Sequence, residues 1–120
     1  MAMTVLIVDD HSTFRSFARD LLESEGFDVI GEAENGTSAI EAATSIRPGL
    51  VLLDVQLPDI SGFAVVERLQ AAGLPSAVVL TSSRDASSYG DQVDSCGAVG
   101  FIPKAELSGQ AVMALLKEAS

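Results

Sequence analysis

The stretch VLIVDDH, residues 5–11, sets two carboxylates side by side where an apolar run ends. Val5, Leu6, Ile7 and Val8 read as a buried strand, and Asp9 and Asp10 follow it directly. Like charges at close range repel, and a low-dielectric core makes the repulsion worse. Three further polar residues end apolar runs in the same sense: Asp54 in LVLLD, Thr81 in AVVLT and Lys104 in GFIPK. If these ends share one edge of a sheet, Asp9, Asp10 and Asp54 converge, and a hard divalent cation removes the penalty. Mg²⁺ suits such a site, because it takes one or two carboxylates, keeps waters and partners with phosphate oxygens. A metal, a carboxylate, a hydroxyl and an ammonium together suit phosphoryl transfer. Asp54 can attack phosphorus and become an acyl phosphate, with the metal bridging the carboxylate and the incoming oxygens. Lys104 and Thr81 can then contact the transferred group, since positioning and charge stabilisation dominate such reactions.

The elements that must position these residues alternate regularly. Apolar runs at Val5–Val8, Val29–Ile30, Leu50–Leu53, Ala77–Leu80 and Val99–Ile102 lack polar alternation, as strands buried on both faces do. Between them lie stretches of helical spacing. Phe14, Phe17, Ala18, Leu21 and Leu22 fall on one face, with Ser12 as the expected N-cap. An Asn35-Gly36 turn opens a second helix that places Ala39, Ile40, Ala43 and Ile46 together. Phe63, Val66 and Leu69 follow a Ser61 cap, and Val112, Leu115, Leu116 and Ala119 follow Ser108. The fourth helix is weak: Ala86, Tyr89 and Val93 are its apolar stripe, and Gly90 in its middle costs about 1 kcal/mol relative to Ala. The spacing predicts β-α repeated five times, an α/β doubly wound parallel sheet with helices on both faces and right-handed crossovers. In such sheets ligands bind beyond the carboxyl ends of the strands where the winding reverses. If the strand order is 2-1-3-4-5, that point lies between the first and third strands, beside Asp9, Asp10 and Asp54.

Bulk properties narrow the function further. The 120 residues suit a single domain, 1–120, and the 48% apolar content is ordinary for a globular core. With 17 acidic against 7 basic side chains, net −10, direct nucleic-acid binding is not expected, because phosphate binding needs a basic face. The single cysteine, Cys96, reads as a small buried thiol, and together with the lack of a signal peptide it favours the cytoplasm. No apolar run approaches the ~18–20 residues that span a membrane.

On these motifs the chain resembles the receiver domain of bacterial two-component response regulators. LIVDDHSTFRSFARDLLESEGFDVIGEAENGTSAI, LVLLDVQLPDISGF, VVLTSS and GFIPK match the family's motifs in order over essentially the whole chain. DDH and GFIPKAELS resemble in particular the receivers of NarL/LuxR-type transcription factors. The resemblance implies a flavodoxin-like (βα)5 fold with sheet order 2-1-3-4-5. It implies that Asp54 accepts phosphate from a sensor histidine kinase. Asp10 would bind Mg²⁺ directly, Asp9 largely through water, with Asp54 and the Gln56 carbonyl as further ligands. Thr81 and Phe101 would be the switch pair, and Gln56 and Ser83 match positions that tune phosphoryl lifetime. The resemblance also implies self-catalysed phosphorylation and dephosphorylation rather than turnover of a released substrate. The face built from helix 4, strand 5 and helix 5 would engage an output domain or a homodimer partner. Transcription would then be controlled through a C-terminal helix-turn-helix domain that this chain does not contain, and excision from a longer regulator is expected over a stand-alone receiver.

One departure concerns Pro103-Lys104-Ala105: the family usually places proline after the lysine, not before it. Pro103 itself suits an edge strand, where a missing N–H is tolerated. His11 is not expected as a metal ligand, since one imidazole makes no metal cluster, and as a helix-1 residue it is expected exposed at the rim of the site. Two enzyme or carrier alternatives fit less well. A haloacid-dehalogenase-type phosphatase resembles an Asp-x-Asp pattern, whereas Asp54 is followed by Val55-Gln56, and a flavin carrier would not place acids in its phosphate loop. A degenerate receiver acting only as a protein-binding module is the remaining alternative.

Overall fold

A computed structural model describes residues 2–84 and 86–119, with the side chain of Ala119, and so its expected place in the last apolar stripe, outside the described residues. Five strands form one parallel sheet: β1 Thr4–Val8, β2 Asp28–Ala33, β3 Leu50–Asp54, β4 Ala77–Ser82 and β5 Gly100–Pro103. Their order is β2-β1-β3-β4-β5. Helices α1 Ser12–Ser24, α2 Gly36–Ile46, α3 Gly62–Ala71, α4 Gln92–Ser95 and α5 Gly109–Ala119 alternate with them. This is the doubly wound α/β architecture expected from the sequence.

The inner strands are buried on both faces because each pleat sends successive side chains to opposite sides. Val5, Ile7, Leu50, Leu52, Val79 and Ile102 pack with Ala18 and Leu22 of α1 and Val112 of α5. Leu6, Val8, Val51, Leu53 and Leu80 pack on the other face with Ala39 and Ala43 of α2 and Val65, Val66 and Leu69 of α3. The edge strand β2 departs from the expectation of burial on both faces. Its exposure alternates, and Ile30 is 39% exposed, since an edge strand is covered by fewer neighbours.

Caps follow the sequence except at α1. Asn35 and Ser38 form a capping box on α2, Ser61 accepts from the Ala64 N–H, and Ser108 accepts from the Ala111 N–H. Ser12 is not the cap of α1; His11 occupies that position without a side-chain bond, and Ser12 is the first helical residue. The N–H of His11 itself donates to the Asp9 carboxylate at 2.8 Å. Phe17 also leaves the expected buried stripe, being 53% exposed and resting against Phe14 with 6.2 Å between ring centroids. The weak fourth helix is reduced to a 3-10 turn, Ala86–Tyr89, and the single turn α4. Gly90, at φ +60°, breaks the two apart. No helix among the described residues is long and apolar enough to cross a membrane.

Candidate functional site

The carboxyl ends of β1, β3 and β4 and the residue after β5 meet at one edge of the sheet. Register places Val8 beside Leu53 and Asp54 beside Thr81, so the polar residues that end these strands become neighbours. Asp9 and Asp54 are buried, at 0% and 3% exposure, while Asp10 and His11 lie at the rim. One donor atom from each of Asp9, Asp10, His11 and Asp54 falls within 4.8 Å of the others.

Lys104 supplies positive charge to this cluster. Its Nζ lies 2.6 Å from Asp9 Oδ2, a close ion contact without an aligned hydrogen bond, and 3.3 Å from Asp54 Oδ2. It also sits 4.5 Å above the Phe14 ring. Burial alone would lower the lysine pKa, but the contact with Asp9 and the charges of Asp54 and Asp9 outweigh it and hold the pKa above its ordinary value. Asp54 is raised, to about 6, chiefly by burial, with the Asp9 charge acting in the same direction. The N–H of Gln56, at 3.1 Å from Asp54 Oδ1, and Lys104 oppose the rise without cancelling it. His11 Nδ1 stands 3.1 Å from Asp9 Oδ1 and 3.0 Å from Asp10 Oδ1, exposed at the mouth as expected.

The donor set fits a hard divalent cation. Three carboxylates converge, two of them desolvated, and a single ammonium cannot neutralise them all. The three carboxylates of this set suit Mg²⁺, with the His11 nitrogen beside them at the rim. Thr81 adds a second unmet demand: its hydroxyl is buried and has no hydrogen-bond partner among the described residues. A buried unpaired hydroxyl costs roughly 1–3 kcal/mol, so a group arriving at Asp54 with acceptor oxygens would relieve it.

Backbone packing fixes the loop that follows Asp54. A Cβ on Gly62 would stand 2.5 Å from the Asp54 carbonyl oxygen and 2.9 Å from Val55 Cα, so only glycine lets α3 start against that backbone. Gly62→Ala is therefore expected to cost about 2–3 kcal/mol of stability by overpacking and to shift the Asp54 amide region in an NMR spectrum. A melting temperature equal to that of the wild type would contradict it. Asp59, in the same loop, accepts from the N–H groups of Gly36, Thr37 and Ile60 and from the Thr37 hydroxyl at 2.8–2.9 Å. Those bonds, the Gly36 N–H first, hold its carboxyl well below the usual range. No sequence pattern signals this capping, because Asp59 and Gly36 are far apart along the chain.

Phe101 is half-buried beside Tyr89, with 6.0 Å between ring centroids, and Tyr89 meets Phe63 edge-on at 5.7 Å. The Tyr89 hydroxyl bonds to Ser82 Oγ, next to Thr81. Gln56 and Ser83 are exposed at the mouth. The bond from Tyr89 to Ser82 has no counterpart in the sequence reading, where Tyr89 is ordinary packing. Pro103 ends the edge strand β5 as expected, and no peptide bond among the described residues is cis.

Comparison with known proteins gives a consistent result. The family model described as the response regulator receiver domain matches residues 5–116. The BvgA transcription regulator of virulence factors from Bordetella pertussis is 41% identical over 85% of this chain and 49% of its own length. The DNA-binding transcriptional activator EvgA of Escherichia coli is 29% identical over 87% of the chain and 51% of its own. The chain thus spans about half the length of these relatives. Among solved structures, the signal receiver domain of the response regulator NarL from Mycobacterium tuberculosis superposes with a TM-score of 0.86 and 33% identity. That superposition covers 98% of this chain and 96% of the other.

Proposed function

This chain belongs to the response regulator receiver domain family, and from that premise we propose that it acts in the cytoplasm with Asp54 as a phosphoacceptor served by a sensor histidine kinase. The observation that carries the reading is the buried Asp54 carboxylate, held by the Gln56 N–H and Lys104 inside a cluster of acids. In the reaction a carboxylate oxygen of Asp54 attacks phosphorus. The phosphorus–nitrogen bond of the donor breaks as the phosphorus–oxygen bond forms, and the departing imidazole keeps the electron pair.

Asp9, Asp10, Asp54 and the Gln56 carbonyl would hold Mg²⁺. Bound there, the ion supplies charge neutralisation for the carboxylates and the phosphoryl oxygens. Lys104 orients the Asp54 carboxylate and gains a contact to the transferred group. Phosphorylation adds roughly −1.5 to −2 charges and three acceptor oxygens, and the unpartnered Thr81 hydroxyl then has an acceptor to reach. Movement of Thr81 releases space for Phe101, and the 3-10 turn, α4, β5 and α5 form the surface that responds. That surface engages an output domain or a second copy of the chain, and transcription is the regulated process in the full-length regulator.

Intact mass after incubation with acetyl phosphate and Mg²⁺ tests the proposal. One phosphoryl group should be gained, and EDTA should abolish the gain. A mass unchanged with both acetyl phosphate and a panel of histidine kinases would instead favour a receiver used only for protein binding.

A further inference from the structure

We propose that Arg15 is a positioning residue for the acid pair, acting through the main chain of Asp9; this rests on reading Asp9, Asp10 and Asp54 as a divalent-cation site. Where β1 ends, the last ladder bond is the Asp9 N–H to the Ala33 carbonyl at 3.0 Å. The carbonyl of Asp9 lies past the strand and accepts instead from Arg15 Nη1 at 2.6 Å. This bond comes from a charged donor, and such bonds are roughly twice as strong as neutral ones.

The guanidinium is itself held. Its Nε donates to Glu32 Oε1 at 3.0 Å, while Arg19 Nε holds Glu32 Oε2 at 2.8 Å. Arg19 is tied in turn to the Val29 carbonyl at 3.2 Å. The Arg15 side chain is only 17% exposed and its bond to the Asp9 carbonyl is part-buried, whereas its pairing with Glu32 lies at the surface. A chain of contacts from β2 therefore reaches the peptide that joins Asp9 to Asp10.

Every polar group of Asp9 is thereby fixed. Its N–H is held by Ala33, its carbonyl by Arg15, its Oδ1 by the His11 N–H and its Oδ2 by Lys104. Asp10 sits at the rim with far fewer constraints, and its carboxylate direction follows from the orientation of the Asp9–Asp10 peptide. Arg15 sets that orientation. Arginine is required over lysine because its planar fork bonds Glu32 and the carbonyl at once, whereas an ammonium has no such fixed geometry. The same arrangement explains an arginine one turn into α1 of a strongly acidic chain, with its charge turned back toward the site.

The test is Mn²⁺ binding, followed by the EPR signal of the free ion, on the full chain as wild type, Arg15→Ala, Arg15→Lys and Glu32→Gln. Arg15→Ala should weaken Mn²⁺ binding about 10-fold, the scale seen when groups that orient metal ligands are lost. Arg15→Lys should recover part of that loss, and Glu32→Gln should show a smaller one. Phosphorylation by acetyl phosphate should slow most at limiting Mg²⁺, and the deficit should shrink as Mg²⁺ is raised. A general folding defect would not show that dependence. A folded Arg15→Ala protein that binds Mn²⁺ within two-fold of wild type overturns the proposal. If that variant does not fold, wild-type affinity in both Arg15→Lys and Glu32→Gln overturns it equally. Absence of Mn²⁺ binding by the wild-type chain overturns the cation-site reading itself, and that outcome is separable because it is seen before any substitution.

Discussion

Replacing Asp54 with asparagine should abolish the phosphoryl gain and, in the same protein, raise the melting temperature of the metal-free form at pH 7.5. The first effect follows because an amide oxygen cannot form the acyl phosphate. The second follows from the cost of keeping this carboxylate charged. Its pKa in the folded protein is raised from 3.8 to about 6 by burial and by the neighbouring charge of Asp9. A carboxyl group with a raised folded pKa subtracts stability above that value. The penalty fades as pH falls through about 6 and is gone below the ordinary carboxylate pKa. The neutral amide of the Asp54→Asn variant carries no such penalty. The gain at pH 7.5 should be on the order of 1–2 kcal/mol, less than the full shift implies because Lys104 and solvent at the mouth screen the charge. It should vanish near pH 4, and excess Mg²⁺ should narrow it by stabilising the wild type preferentially. Thermal melts in EDTA across that pH range check the sign. An asparagine variant less stable than wild type at pH 7.5 would show that the carboxylate is not desolvated as the geometry requires.

Lys104→Ala should have the opposite effect on stability and a large effect on chemistry. The ammonium stands between two buried carboxylates at 2.6 and 3.3 Å. Removing it leaves their repulsion unopposed. The cost should be about 2 kcal/mol, between the values typical of exposed and of fully buried pairs. Some of it comes from the lost contact with Phe14. The folded pKa of Lys104 is raised, so its stabilisation is complete below the ordinary lysine value and is lost only as pH rises through the higher folded one. The deficit is therefore fully present at neutral pH. Mg²⁺ should stabilise the variant more than the wild type, since the ion takes over a charge role that the ammonium no longer fills. Phosphoryl transfer should still slow by about 100-fold, the scale of losing one positioned donor at a developing charge. Denaturant titrations with and without Mg²⁺, together with the rate of mass gain from acetyl phosphate, measure both effects. Equal stability of variant and wild type in EDTA would contradict the account.

The strands, the helices and most residues of the candidate site are legible in the sequence because each is written in local patterns, while the sheet order is implied by the family resemblance. Apolar runs without alternation mark the inner strands, 3.6-residue spacing marks the helices, and polar residues at the ends of the runs mark Asp9, Asp10, Asp54, Thr81 and Lys104. Even the weakness of the fourth helix can be read, from Gly90 and a sparse apolar stripe. Pattern and structure part where exposure depends on neighbours the pattern does not show. Ile30 lies on an edge strand, Phe17 sits at the margin of its stripe, and Ser12 lies one residue inside α1, with His11 at the cap position.

Bonds between residues distant in sequence emerge only once the chain is folded. Register alone sets Thr81 beside Asp54, and its hydroxyl has no partner among the described residues. Long side chains from other elements complete the site: Lys104 between the acids, Arg15 on the Asp9 carbonyl, Asp59 on the start of α2. Their reach spans several ångströms in directions that backbone placement fixes. Which groups stand at the edge of the sheet follows from strand and helix periodicity, and periodicity is local. Which of those groups touch, and which carboxylate bears the cost of burial, depends on packing across the sheet, and that is not a local property.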